Sequence, residues 1–155
     1  MKTIGLIGGM SWESTVTYYQ IINTYMKEKL GGFHSAKCVL YSVDFAEIES
    51  RMSAGKWDEA AEILGRAAAA LERAGADIIL ICTNTLHKVF DQVASRVSVP
   101  LLHIADAAAD ALDARGFHTV ALLGTKYTMQ QDFYRERLAR RGFEVLVPDE
   151  ADMDE

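Results

Sequence analysis

Residues 77–85 read Asp77-Ile78-Ile79-Leu80-Ile81-Cys82-Thr83-Asn84-Thr85. The aliphatic run shows no polar alternation. That is the signature of a strand buried on both faces, as in the middle of a parallel sheet. Three small polar residues follow, each able to cap a helix start, and a helix running to Ser95 is expected after them.

The flanking segments repeat the plan. Thr3 to Ile7 reads as a strand and leads into the turn Gly8-Gly9-Met10-Ser11. From Glu13 to Leu30 the spacing of Val16, Tyr19, Ile22, Tyr25 and Met26 predicts a helix, ended by Gly31-Gly32. A strand over Lys37 to Val43 precedes an Ala/Glu/Leu-rich helix over Lys56 to Ala74, stopped by Gly75. Beyond Pro100 come a strand to Ile104, a helix over Asp106 to Arg115, and a strand over Thr119 to Leu123. A helix over Met129 to Arg141 and a strand over Glu144 to Val147 complete the series before an acidic tail. Strands alternating with helices mean an α/β fold, a parallel sheet with flanking helices joined by right-handed crossovers. The Gly8-Gly9-Met10-Ser11 and Gly124-Thr125 turns both follow a short apolar strand. This echo is compatible with two pseudo-symmetric Rossmann-like lobes, 1–104 and 105–155. The second would be incomplete, with two strands and two helices and little core of its own.

The 155 residues are 50% hydrophobic and 25% charged, a globular balance, with net charge −6. No basic run recommends nucleic acid or an acidic membrane as partner. No apolar stretch approaches the roughly 20 residues of a membrane span, and the N-terminus lacks a signal-peptide plan. The two cysteines, Cys38 and Cys82, suggest neither a disulfide framework nor a zinc site. A cytoplasmic location is the expectation.

Ligands of open α/β sheets bind beyond the carboxyl ends of the strands. Gly8 to Ser11, Cys82 to Thr85 and Gly124 to Thr128 occupy that place. Two readings of Cys82 stand side by side. A thiol at a helix N-terminus has its pKa lowered and serves as base or nucleophile; alternatively it is a buried structural cysteine. The glycine turn lets backbone N–H groups approach an anion, yet it is neither a P-loop nor the dinucleotide fingerprint. Thr125 and Thr128 are hydroxyls that can hold a carboxylate or simply cap the following helix. His34, His87, His103 and His118 show no metal-ligand spacing, and His87 reads as a helix-surface residue. Cys38 reads as core, Trp12 and Trp57 as packing residues, and Arg51 as a loop arginine open to test for side-chain recognition.

Taken in order, four segments resemble the aspartate/glutamate racemase family. Ile79-Leu80-Ile81-Cys82-Thr83-Asn84-Thr85-Leu86-His87 is similar to its first cysteine signature, with Leu86 departing from the usual small residue or Met. Ile4-Gly5-Leu6-Ile7-Gly8-Gly9-Met10-Ser11 is similar to its opening strand and turn. His103-Ile104-Ala105-Asp106 and Ala121 to Met129 also resemble family segments, so the likeness covers essentially the whole chain.

The resemblance implies two lobes facing each other across a cleft, each giving one cysteine. One thiol removes the α-proton of an amino acid and the other returns a proton to the opposite face, without pyridoxal phosphate, metal or other cofactor. It implies Cys82 as the first acid/base. Met10, Ser11, Thr83, Asn84, Thr85, Thr125 and Thr128 would be the groups binding an amino-acid or dicarboxylate substrate, and the protein a homodimer. The second signature, Gly-Cys-Thr-Glu or similar, is absent. A fragment, or a chain that has lost racemisation, is therefore expected. Two other readings remain: a non-catalytic carboxylate binder, and a cysteine-based decarboxylase or isomerase of small dicarboxylic acids.

Overall fold

The aliphatic run at 78–81 forms a strand at the centre of a parallel sheet in the computed structural model, which describes residues 1–154. The chain divides into two units, 1–83 with 89–102 and 84–88 with 103–155.

In the first unit Ile4–Gly8 (β1) pairs on one side with Cys38–Ser42 (β2) and on the other with Ile78–Ile81 (β3). Leu101–Leu102 (β4) pairs with β3, giving the order β2-β1-β3-β4, every pairing parallel. The helices of this unit are Trp12–Leu30 (α1), Phe45–Ser53 (α2), Trp57–Arg73 (α3) and Phe90–Ala94 (α4). Leu6, Ile7, Ile79 and Ile81 of the sheet are buried, as are Ile48 of α2 and Leu64 and Leu71 of α3. Each large aliphatic so buried contributes roughly 1.5–3 kcal/mol. Ala60, Ala67 and Ala68 complete the buried face of α3 and keep it free of bulk.

α1 corrects its own periodicity. Val16, Tyr19 and Tyr25 are exposed, and Thr15 is the buried residue. The reason lies beneath the helix. A Cβ on Gly8 would stand 2.4 Å from Thr15 Cγ2, so the missing side chain lets α1 sit on the turn through Thr15. Trp12, expected to pack, is 65% exposed.

In the second unit Ile104–Asp113 (α5) leads to Thr119–Ala121 (β5). Lys126–Gln130 (α6) and Asp132–Arg140 (α7) precede Glu144–Leu146 (β6), which pairs in parallel with β5. Ala105, Ala109, Tyr134, Leu138 and Phe143 form its core, with Val120 and Val145 packed against them. The single helix expected over Met129 to Arg141 is two, because Gln131 is extended (φ −93°, ψ 144°). The helix expected from Thr85 to Ser95 is likewise a 3-10 turn, Thr85–Val89, followed by α4. Among the described residues no helix is long and apolar enough to cross a membrane.

Candidate functional site

Within the first unit the strand order reverses direction between β1 and β3, the place where open α/β sheets hold ligands. Cys82 stands there. Its backbone N–H donates to the Ile7 carbonyl at 2.9 Å, which sets the thiol residue beside the Gly8 turn at the carboxyl edge of the sheet. Gly9 N–H donates to Thr15 Oγ1 at 3.0 Å, and Val43 N–H to the Gly8 carbonyl at 2.9 Å. Gly9 (φ +89°) admits no side chain: a Cβ would lie 2.1 Å from the Val43 carbonyl oxygen. The turn is therefore pinned from both sides.

Ser11 is the one non-glycine residue with positive φ (65°) among the described residues, a strained conformation of the kind that gathers at functional positions. Its Oγ donates to Glu13 Oε2 at 3.0 Å and caps no helix N–H. Met10 is fully buried. Thr83 is half-buried. Ser42, at the end of β2 against Gly9, is a polar group of this edge that the sequence reading missed. Its signal was strand alternation, which places residues two apart on one face.

Of the two readings of Cys82, the lowered pKa is not the one found. Cys82 has no exposed surface, and burial pushes its thiol up to about 12. Two facts explain the reversal. The structure after β3 is a 3-10 turn starting three residues later, not an α-helix N-terminus at the cysteine. The Cys82 N–H is engaged by the Ile7 carbonyl. Near neutral pH the group is a thiol, a proton donor first. A cation beside it would offset the desolvation of the thiolate.

Cys38 cannot complement it. Cys38 pairs with Ile4, at the amino end of β1, and is half-buried at the edge strand. The length of β1 separates that level from Gly8, about 13 Å at ~3.3 Å per residue.

In the second unit three hydroxyls form a chain. Thr85 Oγ1 lies 3.0 Å from Thr125 Oγ1, which lies 3.1 Å from Thr128 Oγ1. Thr125 also caps α6 by accepting from Thr128 N–H at 3.4 Å. Two links among three hydroxyls use two protons and leave one to donate to an oxyanion. Thr85 and Thr128 are buried, whereas Asn84 and Thr125 are exposed.

His87 is not a surface residue: it is 2% exposed, with its ring 4.6 Å from that of His103. Burial holds His103 at about 3, well below the usual histidine range, so it is neutral; the nearby His87 and Arg137 add to the effect. His34 and His118 are exposed. Arg51 lies on α2, where Nη1 donates to the Glu47 carbonyl at 2.7 Å and Nε faces Glu59 at 3.6 Å. Its guanidinium is thus engaged within its own unit. No group of three or more metal-ligating side chains occurs among the described residues.

The profile of a family described as Asp/Glu/Hydantoin racemase matches residues 7–155. The chain is 27% identical over 149 residues to the broad specificity amino-acid racemase RacX of Bacillus subtilis (strain 168), covering 94% of this chain and 64% of that protein. It thus spans just under two thirds of the length of this curated relative. Among solved structures it resembles a Yersinia pestis protein assigned as an Asp/Glu racemase (TM-score 0.95, 54% identity, 99% of this chain and 67% of that one). It also resembles an aspartate racemase homologue from Pyrococcus horikoshii OT3 (TM-score 0.90, 42% identity, 99% and 67%).

Proposed function

From the premise that the chain belongs to the Asp/Glu/Hydantoin racemase family, we propose that it serves proton transfer at the α-carbon of aspartate, glutamate or a broader set of amino acids, with Cys82 as acid/base. The observation that carries this reading is the place of Cys82, at the carboxyl edge of the sheet beside the pinned Gly8 turn. The α-proton of an amino acid is a very weak acid, so its removal needs a base within hydrogen-bond reach. It also needs fixed donors where charge develops on the carboxylate. In this reading Met10 and Ser11 offer backbone and hydroxyl, and Thr83 and Asn84 their polar side chains. Thr85, Thr125 and Thr128 supply the spare hydroxyl proton. The substrate's ammonium is the cation that lets the buried Cys82 give up its proton. No cofactor enters the scheme, and a cytoplasmic homodimer completes it.

With Cys38 at the opposite edge, this chain supplies a single thiol to the reaction. One thiol can remove a proton and return one to the same face, which exchanges the α-hydrogen without inverting the centre. The test is α-proton exchange in D₂O, followed by NMR with L- and D-aspartate and glutamate, with Cys82→Ala as control. Loss of the Cα–H signal from one enantiomer, dependent on Cys82, is the expected result. Binding of aspartate with no exchange would turn the reading toward a carboxylate binder. Exchange that survives Cys82→Ala would remove Cys82 from the mechanism.

A further inference from the structure

We propose that His87 is a positioning residue, one whose imidazole fastens the segment bearing Asn84 and Thr85 to the start of α5 and thereby fixes the Thr85 hydroxyl for a substrate carboxylate. The inference rests on the racemase reading for its ligand and on the geometry of the second unit for everything else.

His87 lies within the 3-10 turn Thr85–Val89, its backbone N–H donating to the Asn84 carbonyl at 3.0 Å. Its Nε2 accepts the backbone N–H of Ile104 at 3.2 Å. A neutral imidazole accepting at Nε2 carries its proton on Nδ1. The next amide of α5, Ala105 N–H, donates to His103 Nδ1 at 3.1 Å. The first two amides of α5 therefore each end on an imidazole, and the two rings pack edge to face, 61° apart. Two residues before His87, Thr85 Oγ1 meets Thr125 Oγ1 at the cap of α6. The turn is thus tied at 85 to the start of α6 and at 87 to the start of α5.

A five-residue 3-10 turn has poor internal hydrogen-bond geometry and does not hold a position by itself. Its ties decide where it stands. Releasing one of two ties, two residues apart, frees the other to drift, and a hydroxyl out of place holds the substrate carboxylate less well. An imidazole suits the task because Nε2 projects far from the backbone at a fixed angle. Gln places a carbonyl oxygen at comparable reach; Asn, one methylene shorter, does not.

The contrast between His87→Gln and His87→Asn tests the proposal, since both are polar, uncharged and no larger than histidine. In each variant and the wild-type chain, three quantities are read. They are protection of the Ile104 amide, the Thr85–Thr125 methyl NOE, and the KM and maximal rate of α-proton exchange with aspartate in D₂O. His87→Gln is expected to keep all three within about 3-fold of wild type. His87→Asn is expected to lose the Ile104 protection and the NOE and to raise KM by about 10-fold or more, with a smaller change in maximal rate. Equal behaviour of the two variants in KM, or an NOE that survives in His87→Asn, overturns the proposal. If the wild-type chain exchanges no aspartate, the functional reading has failed. The positioning role is then judged on Ile104 protection and the NOE alone: a Gln/Asn difference supports it, and none overturns it.

Discussion

Acid should weaken the second unit through His103. Folded, this imidazole is neutral: it accepts the Ala105 N–H as the cap of α5 and is protonated only at about 3. Unfolded, it titrates near the ordinary value of 6.5. Between these values the unfolded chain binds the extra proton, so stability falls as the pH falls, beginning near 6.5. From pH 7.5 to 5 the loss integrates to about 2 kcal/mol, at ~1.36 kcal/mol per unit over about 1.5 units. Because pH 5 lies well above the folded value, the figure scarcely depends on where that value falls. Asp106, held below the usual carboxylate range by its hydrogen bond to Arg137, loses its contribution only at lower pH, outside this window. Both tryptophans, Trp12 and Trp57, belong to the first unit and cannot report the change. The assay is urea unfolding at pH 7.5 and 5.0, followed by NMR signals of Ala105, Ala109 and Leu138. His103→Asn keeps a cap acceptor that does not titrate, and should lose markedly less. A fall below about 0.5 kcal/mol in the wild-type chain, or an equal fall in both proteins, would refute the argument.

Four further expectations follow from the geometry and burial of single residues. Gly9→Ala should cost about 3–5 kcal/mol or prevent folding, combining the 2.1 Å clash with Val43 and a left-handed backbone; Gly55→Ala, at φ +71° in open space, should cost about 1–2 kcal/mol by thermal unfolding. Alkylation of Cys82 by iodoacetamide at pH 8, read by mass spectrometry, should run ~10³-fold slower than that of an ordinary thiol, since only about one molecule in 10⁴ is thiolate at a pKa of about 12. Labelling as fast as a free thiol would disprove its burial. Thr125→Val removes the α6 cap and the middle of the hydroxyl chain, and should cost ~1 kcal/mol and weaken aspartate binding, while Thr125→Ser restores both.

The alternation of elements was legible because β3, buried on one face and half-buried on the other, leaves a run without polar interruption, and because Gly31, Gly75, Gly116 and Gly142 mark helix ends with positive φ. α2 was missed. Its signal is a capping pattern, Asp44 accepting from Ala46 N–H with Glu47 three residues on, but nine residues supply too few turns for periodicity to speak. The helix α1 was legible, but its orientation was not. Its apolar residues repeat correctly, yet a glycine on the neighbouring strand decides which face descends, and no pattern within the helix encodes that. The polar residues after β3 marked the candidate site, but not the state of its thiol. Whether Cys82 is acidified or desolvated depends on how deeply the fold buries it, which the run itself does not encode. His87 looked like surface because an α-helix was expected where a 3-10 turn stands, and in that turn its ring is buried.

The assignment of 84–88 to the second unit has a consequence for heredity and engineering. The chain leaves the first unit after Thr83, returns at Val89, and leaves again after Leu102. No uninterrupted stretch of gene encodes the second unit without also encoding part of the first. Recombination at a single joint near 102 would deliver a graft missing the Thr85 hydroxyl and the His87 ring, and would strand both in the donor. Shuffling of such a protein must exchange both units together, or rebuild a five-residue excursion at every junction.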